Sequence, residues 1–107
     1  MTTFDNRENA FENKFAHDAD LHFKITARRN KLVGQWAAAK MGLTPEETTA
    51  YATSVVQADF EEAGDEDVIR KVLGDLTSAG VDVDDSAIRA ALDEKMVEAR
   101  RQFIEQA

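Results

Sequence analysis

The 107-residue chain contains no cysteine and a single proline. Without cysteine there is no disulfide and no thiolate metal site. With one proline, little interrupts a helix. No apolar run approaches the roughly 18 residues of a membrane span, and no apolar stretch of the signal-peptide kind follows Met1. Basic residues are also short: 13 Lys and Arg stand against 21 Asp and Glu, for a net charge of −8. Nucleic acid and anionic membrane both call for a basic surface, so both are disfavoured as partners. Neither G-x-x-x-x-G-K-[ST] nor G-x-G-x-x-G occurs. His17 and His22, five apart, lie more than a third of a turn from each other on a helix. These absences lead us to expect a cytoplasmic monomer of one domain, without membrane insertion, catalytic residues or a metal.

What is present favours helix. Ala, Glu, Lys, Arg, Leu and Gln are abundant, and the breakers fall between apolar stripes. In "KMGLTPEET", Gly42 suits a helix end, Thr44 an N-cap and Pro45 the first helical position, while Glu47 would close a capping box. "EEAGDED" repeats the logic, with Gly64 as stop and Asp65 as cap. "SAGVDVDDSAI" gives a third boundary, with Gly80 as stop and Asp85 or Ser86 as cap. Stripes at 3–4 spacing read as core faces: Tyr51, Val55, Val56 and Phe60; Val68, Ile69, Val72, Leu73 and Leu76; Ile88, Leu92, Met96, Ala99 and Phe103. The fold class expected is all-α, a four-helix bundle with helices over about 20–41, 45–63, 65–79 and 85–106.

The N-terminal stretch "FDNRENAFENKFAHD" differs from these. Phe4 to Met41 would make one helix of about 57 Å, against about 22–33 Å for the other three. On it Phe4, Phe11 and Phe15 fall within about 40° of one another. Continued, that line meets Asp18 and His22, both polar, and apolar residues resume with Ile25, Leu32, Val33 and Trp36. We therefore divide the chain into an arm, 1–18, and a bundle, 19–107. Asn6, Asn9 and Asn13 are mediocre helix formers, and an isolated helix of about 15 residues is marginal in water. The arm is expected to be mobile or extended in the unbound protein and to become helical on a partner. The alternative is a fifth short helix folded back with its rings in the core.

Two charged motifs complete the reading. "DVDDSAIRAALD" begins like a calcium loop, but Ala87 replaces the sixth-position Gly and Asp93 the twelfth-position Glu, so calcium is not expected. "ARRNK", with Arg28, Arg29 and Lys31, is the one dense basic cluster. It reads either as a solvated helix face or as a contact for a phosphate, an adenine nucleotide or an acidic surface. No other cofactor is expected.

"FDNRENAFENKFAHD", "ARRNKLVGQWAA" and "YATSVVQADFEEAGDEDVIRKV" together resemble the zeta subunit of bacterial F-type ATP synthases, an ATPase-inhibitor family. The likeness is strongest over Thr3–Trp36 and Tyr51–Val72, and weaker from Asp75 onward. It implies a four-helix bundle whose N-terminal segment enters the catalytic head of the synthase (alpha and beta subunits and central stalk), at an interface between catalytic subunits near the central stalk, and blocks ATP hydrolysis. Phe4, Phe11 and Phe15 would then be anchors. Arg7, Glu8, Glu12 and Lys14 would make rim contacts, and the chain would reach the membrane only through the synthase. Asn6, Asn9 and Asn13 depart from that pattern, which raises the cost of ordering the arm.

Overall fold

The computed structural model describes residues 3–59 and 64–106, with side chains over 20–59 and 64–103. Among the described residues there are four helices and no strand: α1 Thr3–Met41, α2 Pro45–Ala58, α3 Glu66–Ser78 and α4 Asp85–Gln106. The all-α four-helix expectation holds.

Local chemistry sets the boundaries. α1 ends in a Schellman motif: the Gly42 N–H donates to Ala39 O (3.2 Å) and the Leu43 N–H to Ala38 O (3.1 Å). That turn needs a left-handed residue, and Gly42 supplies it at φ 72°. α2 opens with the expected capping box. The Glu47 N–H donates to Thr44 Oγ1 (3.2 Å) and the Thr44 N–H to the Glu47 carboxylate (2.9 Å), with Pro45 in the first turn.

Two expected caps are corrected. Asp65 precedes α3, but its backbone is already helical (φ −87°, ψ −8°) and its side chain makes no cap bond. A capping residue normally keeps an extended backbone, which turns its side chain over the first N–H groups. The α4 cap is Asp84 rather than Asp85 or Ser86. Its Oδ1 accepts from the Ala87 N–H (3.0 Å) and the Ser86 hydroxyl (2.8 Å), which holds its carboxyl below the usual range, the Ser86 bond contributing most. Asp85 turns instead to Arg89, one turn on.

α2 stops at Ala58, short of the expected 63. An acid after a helix's last turn meets the negative end of the helix dipole. Asp59 stands there, and the last turn holds no base to offset it. Phe60, expected on the α2 stripe, lies outside the described residues.

The core joins all four helices. Val33 and Ala37 of α1, Val55 of α2, Val68, Ile69, Val72 and Leu76 of α3, and Ile88 and Leu92 of α4 form one buried cluster, with Trp36, Met41, Tyr51, Leu73, Val81 and Val83 packed on it. The α3 and α4 stripes are therefore where periodicity placed them. The inward line of α1 is not. Its buried residues are Arg29, Asn30, Val33, Gly34, Ala37 and Ala38, while Ile25, Leu32 and Trp36 of the expected line are half-buried. At about 100° per residue, the observed face is turned by about a quarter of the circumference. Gly34 gives the reason: a Cβ there would stand 2.6 Å from Ala52 Cα. The backbones of α1 and α2 meet where side chains are smallest, so α1 turns its glycine–alanine face inward.

α1 is unbroken through residue 18, so the expected division of arm from bundle falls inside a single helix, and among the described residues no fifth helix folds back. Its 39 residues make it about 58 Å long, and the molecule measures 65 × 26 × 21 Å. Arg28 meets Gln102 and Phe103 near the end of α4. Only four residues of α4, Phe103–Gln106, follow Gln102, whereas 25 residues of α1, Thr3–Ala27, precede Arg28. Among the described residues, no helix is long enough to accompany the first half of α1.

Candidate functional site

The anchors and rim residues named for the arm, Phe4, Arg7, Glu8, Phe11, Glu12, Lys14 and Phe15, all belong to that first half of α1. Their side chains lie outside the described residues. What the backbone provides is one helical frame that carries them in register.

The basic cluster is described in full, and the structure separates its members. Arg29 is 4% exposed and Asn30 is fully buried. The Arg29 guanidinium donates through Nη2 to Asp65 Oδ1 (2.7 Å) and through Nη1 to Asp65 Oδ2 (3.2 Å), a two-pronged pair from α1 to the start of α3. Its Nε and Nη2 also reach Asn30 Oδ1, at 3.1 and 2.9 Å. A buried guanidinium is costly unless its donors are taken up, and here Asp65 and Asn30 take them up. The Asn30 Nδ2 has no partner among the described residues. Asn30 also lines a small cavity of about 20 Å³ with Thr26, Val56 and Asp59, which is room for about one water molecule. Arg29 is thus committed to holding α3 on α1.

Arg28 and Lys31 face elsewhere. Arg28 is half-buried, donates from Nη1 to Gln102 Oε1 (3.1 Å) and lies 5.7 Å from the centre of the Phe103 ring. Lys31 is exposed. With Lys24 they border an open groove of about 300 Å³ whose floor is Phe23, Ala27, Val56 and Phe103. Lys24, Phe23, Val56 and Phe103 were not expected in this site; Val56 and Phe103 were expected on core stripes. One signal was available: residues 24, 28 and 31 are spaced i, i+4, i+7 and share a line along α1. The floor could not be read, because it needs α2 and α4 in place.

A second polar network ties α2 to α3. The Tyr51 hydroxyl donates to Asp75 Oδ2 (2.9 Å), Lys71 Nζ pairs with the same oxygen (3.1 Å), and that ammonium stands 5.3 Å from the Tyr51 ring centre. Burial, then the Asp75 bond and its charge, push the Tyr51 hydroxyl above its ordinary range, so it stays a donor. Its chemistry is that of a strut.

Among the described residues, no three His, Asp or Glu side chains are grouped to hold a metal ion. The stretch that begins like a calcium loop becomes helix from Asp85. No described helix is long and apolar enough to cross a membrane.

Comparison with known proteins adds three findings. The family model described as ATPase inhibitor subunit zeta matches residues 1–102. A structure solved by solution NMR is similar, with 46% sequence identity and a TM-score of 0.72 over 81% of this chain and 99% of that one. No curated protein matches.

Proposed function

The chain belongs to the ATPase inhibitor subunit zeta family, and from that premise we propose that it blocks ATP hydrolysis by inserting the first half of α1 into the catalytic head of F-type ATP synthase. The family is regulatory rather than catalytic and implies association with the synthase. The carrying observation is the mismatch in length within the fold: α1 has 39 residues, and the longest helix beside it, α4, has 22. A helix that outruns its bundle presents a surface to a partner without disturbing its own core.

The action is mechanical. A catalytic head passes through different shapes in each turnover, and a helix seated at an interface between its catalytic subunits, near the central stalk, holds one of those shapes. Phe4, Phe11 and Phe15 are the proposed anchors, each worth about 1.5–3 kcal/mol when fully buried. Arg7, Glu8, Glu12 and Lys14 form the rim. Such a protein supplies no reacting group, and it reaches the membrane through the synthase alone.

The test is ATP hydrolysis by purified synthase head with the full chain and with a chain lacking residues 1–18. Loss of hydrolysis with the full chain alone supports the reading, and equal inhibition by both refutes it. A second reading, an adenine nucleotide held by Arg28, Arg29 and Lys31, has less support, because the Arg29 guanidinium is already held by Asp65 and Asn30.

A further inference from the structure

The groove bordered by Lys24, Arg28 and Lys31 has a chemistry unlike the rest of this acidic surface. Its floor is apolar, formed by Phe23 and Ala27 of α1, Val56 of α2 and Phe103 of α4. Its border is cationic, and no carboxylate lines it among the described residues. Elsewhere acids outnumber bases, and the whole chain carries −8. Phe23 keeps 53% of its surface exposed, one of two large apolar side chains so exposed among the described residues. An apolar floor open to water marks a contact surface more often than a structural need.

The spacing narrows what could occupy it. Positions 24, 28 and 31 cover about 10 Å, or two turns of α1, and fall within about 60° around it. A helix lying along α1 offers side chains at the same period. Acids three or four positions apart on it would meet the three bases, while apolar residues one face over would meet Phe23, Val56 and Phe103. The existing partners do not oppose this. Lys24 pairs with Asp20 at 3.0 Å, but both side chains are 57% exposed, and such pairs are worth little and exchange readily. Arg28 is steadied against Gln102 and the Phe103 ring, so its charge is already placed.

Resting on the reading that the chain docks on the synthase head, we propose that this groove seats an acidic amphipathic helix of that partner. The first half of α1 inserts, and the groove, on the next turns of the same helix, holds the bundle against the head. Complementary charge of this kind mainly speeds and orients docking, so the contribution weakens with salt.

The experiment measures binding of the full chain to purified synthase head at low and physiological salt. Lys24→Glu/Lys31→Glu is compared with Arg70→Glu, which changes an exposed base on α3 (side chain 74% exposed) away from the groove. The expected result is at least a tenfold loss of affinity and a shallower salt dependence for the groove variant, with Arg70→Glu near wild type and both variants melting within a few degrees of it. Equal losses in both variants would reduce the effect to overall charge, and unchanged affinity in the groove variant would remove the site; either overturns the inference. Displacement of the chain from the head by ATP, with amide shifts at 24, 28 and 31, would make the groove an anion site and also overturn it. So would dimerisation that the groove variant abolishes, since the occupant would then be a second copy. If the wild-type chain does not bind the head at all, the proposed function falls first and this inference with it.

Discussion

The two halves of α1 share one backbone and little else. From Asp20 to Met41 the helix is fixed by its surroundings: Gly34 lies against Ala52, Arg29 is clamped to Asp65, and Val33 and Ala37 enter the common core. From Thr3 to about Ala19 the same helix runs past the end of α4, which meets it at Arg28 and stops four residues after Gln102. Isolated helical turns gain little in water, and most helical stability in proteins comes from packing an amphipathic face. Folding and binding are divided along one helix. Changes in the second half should be felt as stability, and changes in the first half as inhibition.

The largest loss of stability is expected in the core. Leu76 is fully buried where α3 meets the other helices. Leu76→Ala should cost about 3 kcal/mol and lower the melting temperature by about 15 °C, as followed by circular dichroism. Next comes Asp65→Ala, which leaves the buried Arg29 guanidinium without its carboxylate. A fully buried broken pair costs about 3–5 kcal/mol. Because the Asp65 side chain is 49% exposed, water softens the loss, and about 2 kcal/mol is expected by urea unfolding.

At Gly34→Ala, helix propensity and packing act with opposite signs. Propensity alone would add about 1 kcal/mol of stability. The added Cβ would fall 2.6 Å from Ala52 Cα, which is backbone and cannot turn aside. Overpacking costs about 1–3 kcal/mol, so a net loss of about 1 kcal/mol is expected.

The smallest effect is at the start of α2. The Thr44 N–H and, secondarily, the Thr44 hydroxyl contact hold the Glu47 carboxyl below its ordinary value of 4.5. A depressed folded value means that the contribution is whole above about 4.5 and is lost as pH falls through the folded value. A Glu47→Ala variant should therefore melt slightly below wild type at pH 6, and the gap should close as the pH is taken well below 4.5.

Much of the fold was legible because its signals are local. Gly42, Thr44, Pro45 and Glu47 lie within six residues and mark one helix end and the next start without help from elsewhere. The α3 and α4 stripes were legible because valine, isoleucine and leucine contrast strongly with their neighbours. The inward face of α1 was not, since Gly34, Ala37 and Ala38 give little hydrophobic contrast and Arg29 and Asn30 give the opposite one. Their burial depends on Asp65, 36 positions away, and Asp65 itself resembles a helix cap when read locally. The same limit hid the groove: its line of bases is written on α1, but Val56 and Phe103 reach it only through the fold. The arm stood out because its phenylalanine stripe stops at Asp18 and His22, a break visible in the sequence itself.

One double variant tests the division between the two halves of α1 most directly. Phe11→Ala/Phe15→Ala, in the full chain, is assayed for inhibition of ATP hydrolysis by purified synthase head and for thermal unfolding on its own. At least a tenfold weaker inhibition is expected, with a melting temperature within about 2 °C of wild type. A collapse of the melting temperature would place the two rings in the bundle core, and undiminished inhibition would remove them as anchors.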